Sequence, residues 1–260
     1  MSKTSVLPGG EALPVAAFDH VVVSARDRLA AAAESYRRLG FHLTPLGRHT
    51  LGSINHLAVF ATDYLELVGI DPEAATVRGE LLRFPAGLNG VVFATEDAAA
   101  AHRALAAAGL RLEPPLDFAR PVTLPEGAAE ARFRVLRLKS EEVDYGRVYF
   151  CQHRTRDLVW RDEWRRHPNG AVALARVLLC AEAPEAAAAL YRRLFGAEAL
   201  RAVKGGFSLA VGLARLDILS PAAAAAEWGA ALPAAAGRTT FLAGLSFRTT
   251  SLAAAGEARA

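Results

Sequence analysis

The stretch Phe18–Gly40, FDHVVVSARDRLAAAAESYRRLG, decides how the rest of this chain is read. Asp19 and His20 run into three valines, and β-branched residues in a row read as a strand. From Arg28 the pattern changes. Leu29, Ala32, Ala33, Tyr36 and Leu39 recur at helical spacing, and Gly40 stops the helix. Strand-like segments follow at Phe41–Pro45, Asn55–Ala61 and Tyr64–Ile70. The order is strand, helix, strand, strand, strand.

That order returns along the chain, as internal repeats do. Asn89–Asp97 is a strand, Ala98–Ala108 a helix stopped by Gly109, with strands at Leu116–Pro121, Ala131–Lys139 and Arg147–His153. Ala173–Pro184 opens a third copy. Its helix is Glu185–Leu194, stopped at Gly196, and its strands lie near Ala199–Val203, Phe207–Val211 and Ala214–Leu219. FLAGLSFRTT, Phe241–Thr250, begins a fourth copy that has only its strand and the start of a helix. Aligned by hand, His20, Gly90, Arg176 and Gly244 take one place, so glycine marks the even copies. The reading is an α+β chain of tandem βαβββ modules with the last truncated. Residues 1–15 form a leader, 16–157 a first domain, 158–170 a charged linker ending in Pro-Asn-Gly, and 171–260 a second domain.

Composition narrows the function classes. Of 260 residues, 52% are hydrophobic and 22% charged, as in a packed globular protein. The net charge is +3, and no Lys/Arg cluster with interleaved aromatics runs along one face, so nucleic acid is not expected as a partner. No apolar run reaches the roughly 18 residues of a membrane span, and no membrane partner is expected. Cys151 and Cys180 sit in apolar strand-like runs without a signal peptide, so free thiols and a cytoplasmic location are expected.

Side chains alternate along a strand. His20 and Val22 share one face of DHVVV, and in YLELVG Glu66 projects away from Leu65 and Leu67. With the apolar faces under helices, His20 and Glu66 would meet in the hollow of a curved sheet. The duplicated module, the DHVVV and YLELVG strands, and the phrases GRHTLG (Gly47–Gly52) and HPNGA (His167–Ala171) resemble the vicinal oxygen chelate superfamily, and more narrowly its glyoxalase-like branch. The resemblance spans about Phe18 to Thr250.

It implies cup-shaped mixed sheets with helices outside, and a divalent metal (iron, manganese, zinc or nickel) chelating two adjacent oxygens of a small molecule. Carried over, His20 and Glu66 match the first module's ligand places. The second module departs from the pattern: Gly90 offers no side chain, and its last place falls at Gln152. His153 then lies on the other face unless a bulge turns it inward. His49 or His56 would supply a further ligand or contact substrate, and Arg48 would meet an anionic group. In the second unit the places hold Arg176 and Asp217, a pair that suits a metal-free structural partner.

The implied function is metal-assisted conversion of a small molecule with vicinal oxygens, with Glu66 also available as a general base. Lyase, isomerase and dioxygenase chemistry stay open. The alternative is a metal-free binding or sequestering protein of the same fold. The short fourth copy leaves a sheet edge for residues 221–237 or a second chain to cover, so a homodimer is one expected arrangement.

Overall fold

The computed structural model describes residues 17–75, 78–124 and 127–258, so the leader lies outside the described residues. The first module folds as β1 (Phe18–Arg26), α1 (Leu29–Arg38), β2 (Gly47–His49), β3 (Ser53–Val59) and β4 (Tyr64–Ile70). Gly40, at φ +76°, supplies the left-handed residue that ends α1. The second module is β5 (Gly87–Ala94), α2 (Ala98–Ala107), β6 (Leu116–Leu124), β7 (Gly127–Arg137) and β8 (Arg147–His153). Asp97 caps α2 by accepting from the amides of Ala99 and Ala100.

These strands make one mixed sheet in the order β2-β3-β4-β1-β5-β8-β7-β6. β1 runs parallel to β4, β5 parallel to β8, and β1 antiparallel to β5, so the two modules meet along their first strands. The sheet curls until its ends touch. The Thr50 amide, just past β2, donates to the carbonyl of Ala119 on β6 at 3.1 Å.

β9 (Ala171–Ala181), α3 (Pro184–Phe195), β10 (Leu200–Val203), β11 (Gly206–Val211), β12 (Ala214–Leu219), α4 (Pro221–Trp228), β13 (Thr240–Thr249) and α5 (Leu252–Glu257) complete the fold. Their sheet, β10-β11-β12-β9-β13, lacks the three strands that would follow β13. Residues 221–237 were one expected cover for that open edge. Instead, α4 lies over the concave face: Ala224 and Trp228 pack with Leu178, Cys180 and Phe241, and a Cβ on Gly244 would strike Trp228 at 2.5 Å.

The helix-covered faces of both sheets share one core. It joins Val21, Leu65, Phe93 and Phe150 to Leu174, Val177, Tyr191 and Phe195. The 158–170 segment contributes buried Trp160, Trp164, His167 and Asn169. His167 donates to the Val59 carbonyl and accepts from the His42 amide.

One expected strand is absent. Phe41–Pro45 forms no ladder, because Thr44 satisfies Leu57 in two ways, through its own amide and through its hydroxyl. The edge strand is Gly47–His49 instead, within the phrase GRHTLG. No described helix is long and apolar enough to cross a membrane. Cys151 and Cys180 are both free and buried.

Candidate active site

Val21, Val23, Leu65 and Leu67 turn to the helices, while His20, Val22, Tyr64, Glu66 and Val68 turn to the hollow of the first sheet. Gly90 sits opposite Val22, where a Cβ would collide with that valine at 2.8 Å, so the position is a packing cradle and not a ligand place. The enclosed space is about 50 Å³, room for a molecule of a few heavy atoms.

His20 is positioned from below. The register of β1 against β5 slips between Phe18 and His20, and this bulge lets Asp19 reach the same side as its neighbour. The Asp19 carboxylate meets His20 Nδ1 at 2.6 Å and His153 Nε2 at 3.1 Å. Burial raises its pKa, but His153 and His20 outweigh that and hold it well below the usual carboxylate range. Asp19 anchors His20 through Nδ1 and leaves Nε2 facing the hollow. There it meets the Tyr149 hydroxyl at 3.0 Å, and burial pushes the Tyr149 pKa up.

Two further groups converge on Glu66. Its Oε2 lies 3.8 Å from His20 Nε2, and its Oε1 lies 4.0 Å from His49 Nε2. Asn55 donates to Glu66 Oε1 at 2.7 Å and approaches His49 Nε2 at 3.2 Å. Burial raises the Glu66 pKa, but His20, His49 and the Asn55 bond together bring it below the ordinary value. Burial pushes His49 down to about 4, with Arg120 and Arg78 adding to the effect and Glu66 opposing it. The site therefore holds an ionised carboxylate beside a neutral His49, with His20 Nε2 turned inward.

The His49 shift predicts a pH effect on the metal-free chain. Its folded value lies below the ordinary 6.5, so protons favour the unfolded state. The stability it contributes is full above about pH 6.5 and is lost as pH falls towards 4, by about 3 kcal/mol in all. Urea midpoints at pH 7.5 and 4.5 should differ less in His49→Gln than in the natural chain. Equal pH slopes would refute the assignment.

Other expected residues fall elsewhere. Gln152 is corrected: it lies on the helix side of β8, where it donates to the Glu96 carbonyl and accepts from the Ala98 amide. His153 takes the hollow face with Tyr149 and Cys151 in a regular strand, without the bulge it was expected to need. There it bonds Asp19 and packs between Phe133 and Trp160. His56 is also corrected. It pairs with Leu67 across the ladder on the opposite face and bonds the Thr44 carbonyl. Arg48 points away from the hollow to Asp71 and Glu73. His49, one residue on, points in, as alternation on an edge strand requires.

Asp19, Cys151 and His153 also bring donor atoms within 4.8 Å of one another. Burial, with Asp19 and Glu66 adding, drives the Cys151 thiol well above its ordinary value. Asp19 Oδ1 is already shared by two imidazoles. That cluster reads as the support beneath His20.

In the second sheet the equivalent places hold an ion-pair cluster among the described residues. Arg176 Nε and Asp217 Oδ2 are 2.5 Å apart, Glu227 and Arg215 extend the pair, and Ser208 donates to Asp217.

Reading the sequence missed Asp19, Asn55, Tyr149 and the arginines of the hollow. Asn55 and Tyr149 carried a weak signal, since each lies on a ligand-bearing face once the strand's parity is known.

Comparisons agree with this architecture. No curated protein matches the chain. Among solved structures, a hypothetical protein from Staphylococcus aureus aligns at 15% identity and TM-score 0.62, over 79% of this chain and 86% of its own. A mutant of 4-hydroxymandelate synthase from Streptomyces coelicolor aligns at 13% identity and TM-score 0.57, over 95% and 76%. A fusion of a xylose isomerase-like TIM barrel with 4-hydroxyphenylpyruvate dioxygenase aligns at 18% identity and TM-score 0.55, over 97% and 41%. At such identities these likenesses establish the fold alone. The model of the glyoxalase-like domain matches residues 18–195, and the chain thus belongs to the glyoxalase-like family.

Proposed function

We propose that the first hollow is the active site of a metal-assisted enzyme acting on a small molecule with neighbouring oxygens. The observation that carries this is the approach of His20 Nε2 and His49 Nε2 to one carboxylate, at 3.8 and 4.0 Å, inside an enclosed space. The donor chemistry fits a divalent ion. Metal ligands must be deprotonated, and Glu66 is held ionised while His49 is held neutral. His20 donates its other nitrogen to Asp19, the support that metal-binding imidazoles regularly have.

His20, His49 and Glu66 would hold the ion. Two imidazoles and one carboxylate suit iron foremost, which puts oxygenation ahead of lyase or isomerase chemistry. When bound, the ion would supply Lewis-acid polarisation of the chelated oxygens. The chain's own residues do the rest. Asp19 fixes the His20 tautomer, and Asn55 orients Glu66. Glu66 takes a substrate proton if one must leave. Phe118 and Phe133, stacked at 5.0 Å, keep water from one wall. Two free thiols favour a cytoplasmic setting.

The metal-free binding reading keeps one observation in its favour: Tyr149 and Asn55 already satisfy His20 and Glu66. Metal analysis decides between the two. Protein purified without chelator should carry about one first-row ion per chain. Glu66→Gln and His20→Ala should lose it, and Gln152→Ala should keep it. Metal-free natural protein would favour the binding module.

A further inference from the structure

Four arginines line the first hollow, and they are not alike. Arg78 and Arg137 share Glu80, at 2.8 and 3.4 Å. Among the described residues Arg120 and Arg147 form no ion pair, although the Glu66 carboxylate acts on both through space. Arg120 is 3% exposed, yet its Nε and Nη2 meet no acceptor. Arg147 likewise leaves Nε and Nη2 without one, and its guanidinium lies 5.9 Å from the centre of the Tyr149 ring. The fold makes room for Arg120. It enters where β6 closes against β2, and a Cβ on Gly47 would come within 2.5 Å of its Cδ and Nη1. A guanidinium cannot shed its charge, and burying it unpaired is unfavourable unless an anion arrives.

We propose that this hollow takes a small organic carboxylate as its substrate class, with Arg120 and Arg147 as the anion-binding groups. The planar fork of a guanidinium matches a carboxylate edge with two parallel bonds. The lining also includes Leu51, Leu57, Phe118 and Val135, apolar walls that suit a carbon skeleton over inorganic phosphate. The space admits only a few heavy atoms. This rests on the hollow being the ligand site, and it does not depend on an ion being there.

The test is calorimetric titration of chelator-dialysed protein with pyruvate, with pyruvamide as its neutral counterpart, and with inorganic phosphate. Pyruvate should bind saturably and pyruvamide should not. Arg120→Gln and Arg147→Gln should each weaken pyruvate by about ten- to a hundredfold, the worth of a charge-assisted hydrogen bond. Arg120→Gln should also melt no lower than the natural chain without ligand, because it removes a buried unpaired charge. If Arg120→Gln does not fold, Arg147→Gln and the contrast between pyruvate and pyruvamide carry the test. Equal binding of pyruvate and pyruvamide, wild-type affinity in both variants, or binding of phosphate alone overturns the proposal. The metal analysis above is unaffected by any of these results, so the two readings fail separately.

Discussion

Phe195→Ala is expected to destabilise the entire chain by about 3–5 kcal/mol, the cost of truncating a fully buried phenylalanine. Phe195 closes α3, in the second half of the chain. Its ring meets Phe93 of β5 at 4.8 Å and Phe150 of β8 at 6.3 Å, both in the first half. Beside it the Tyr145 and Tyr191 hydroxyls bond across the same junction at 2.6 Å. Further along, the Leu174 amide donates to Asp63 at 2.9 Å. A cavity at Phe195 therefore removes contacts from both sheets at once. Urea unfolding should remain a single transition, with tryptophan fluorescence and far-UV circular dichroism coincident at a lower midpoint. Two separated transitions, with the first sheet unshifted, would show instead that each half folds on its own core.

Asp217→Ala is expected to cost about 3 kcal/mol, the low end for breaking a buried ion pair. The carboxylate is buried and faces Arg176 at 2.5 Å, Arg215 at 2.8 Å and the Ser208 hydroxyl. Removing it leaves Arg176 largely desolvated. The effect stays at the low end because Glu227 still reaches Arg176 at 2.5 Å, from a side chain that is half-exposed. Pairing Arg176→Met with Asp217→Leu should recover most of the loss, since two apolar groups need no partner. Denaturant midpoints of the single and double variants measure this directly. A single variant as stable as the natural chain would mean that Glu227 alone neutralises Arg176.

The module order, the glycine stops and the facing of His20 and Glu66 were all legible in the sequence. Gln152 and His153 were not, for a physical reason. β8 is buried on both faces, with Val148 and Phe150 towards the helices and Tyr149 and Cys151 towards the hollow. Such a strand shows no polar alternation from which to count. A one-residue error in hand alignment then exchanges every side chain between faces. Asp19 was hidden by its bulge, which breaks the parity that the valines advertise. Arg48 failed because β2 sits at Gly47–His49 rather than Phe41–Pro45, and His56 because its strand turns Asn55 and Leu57 into the hollow instead.

Local pattern by itself determined the repeat, the fold class and two residues of the site, because strand alternation and helical spacing are properties of neighbouring residues. Tertiary structure alone decided which histidine joins Glu66, what supports His20, and which arginines lose their solvent. Those outcomes depend on β2 and β6 closing the sheet and on both halves sharing one core. Such contacts join residues tens of positions apart, where side-chain chemistry is unchanged but burial, and hence charge and proton affinity, is set anew.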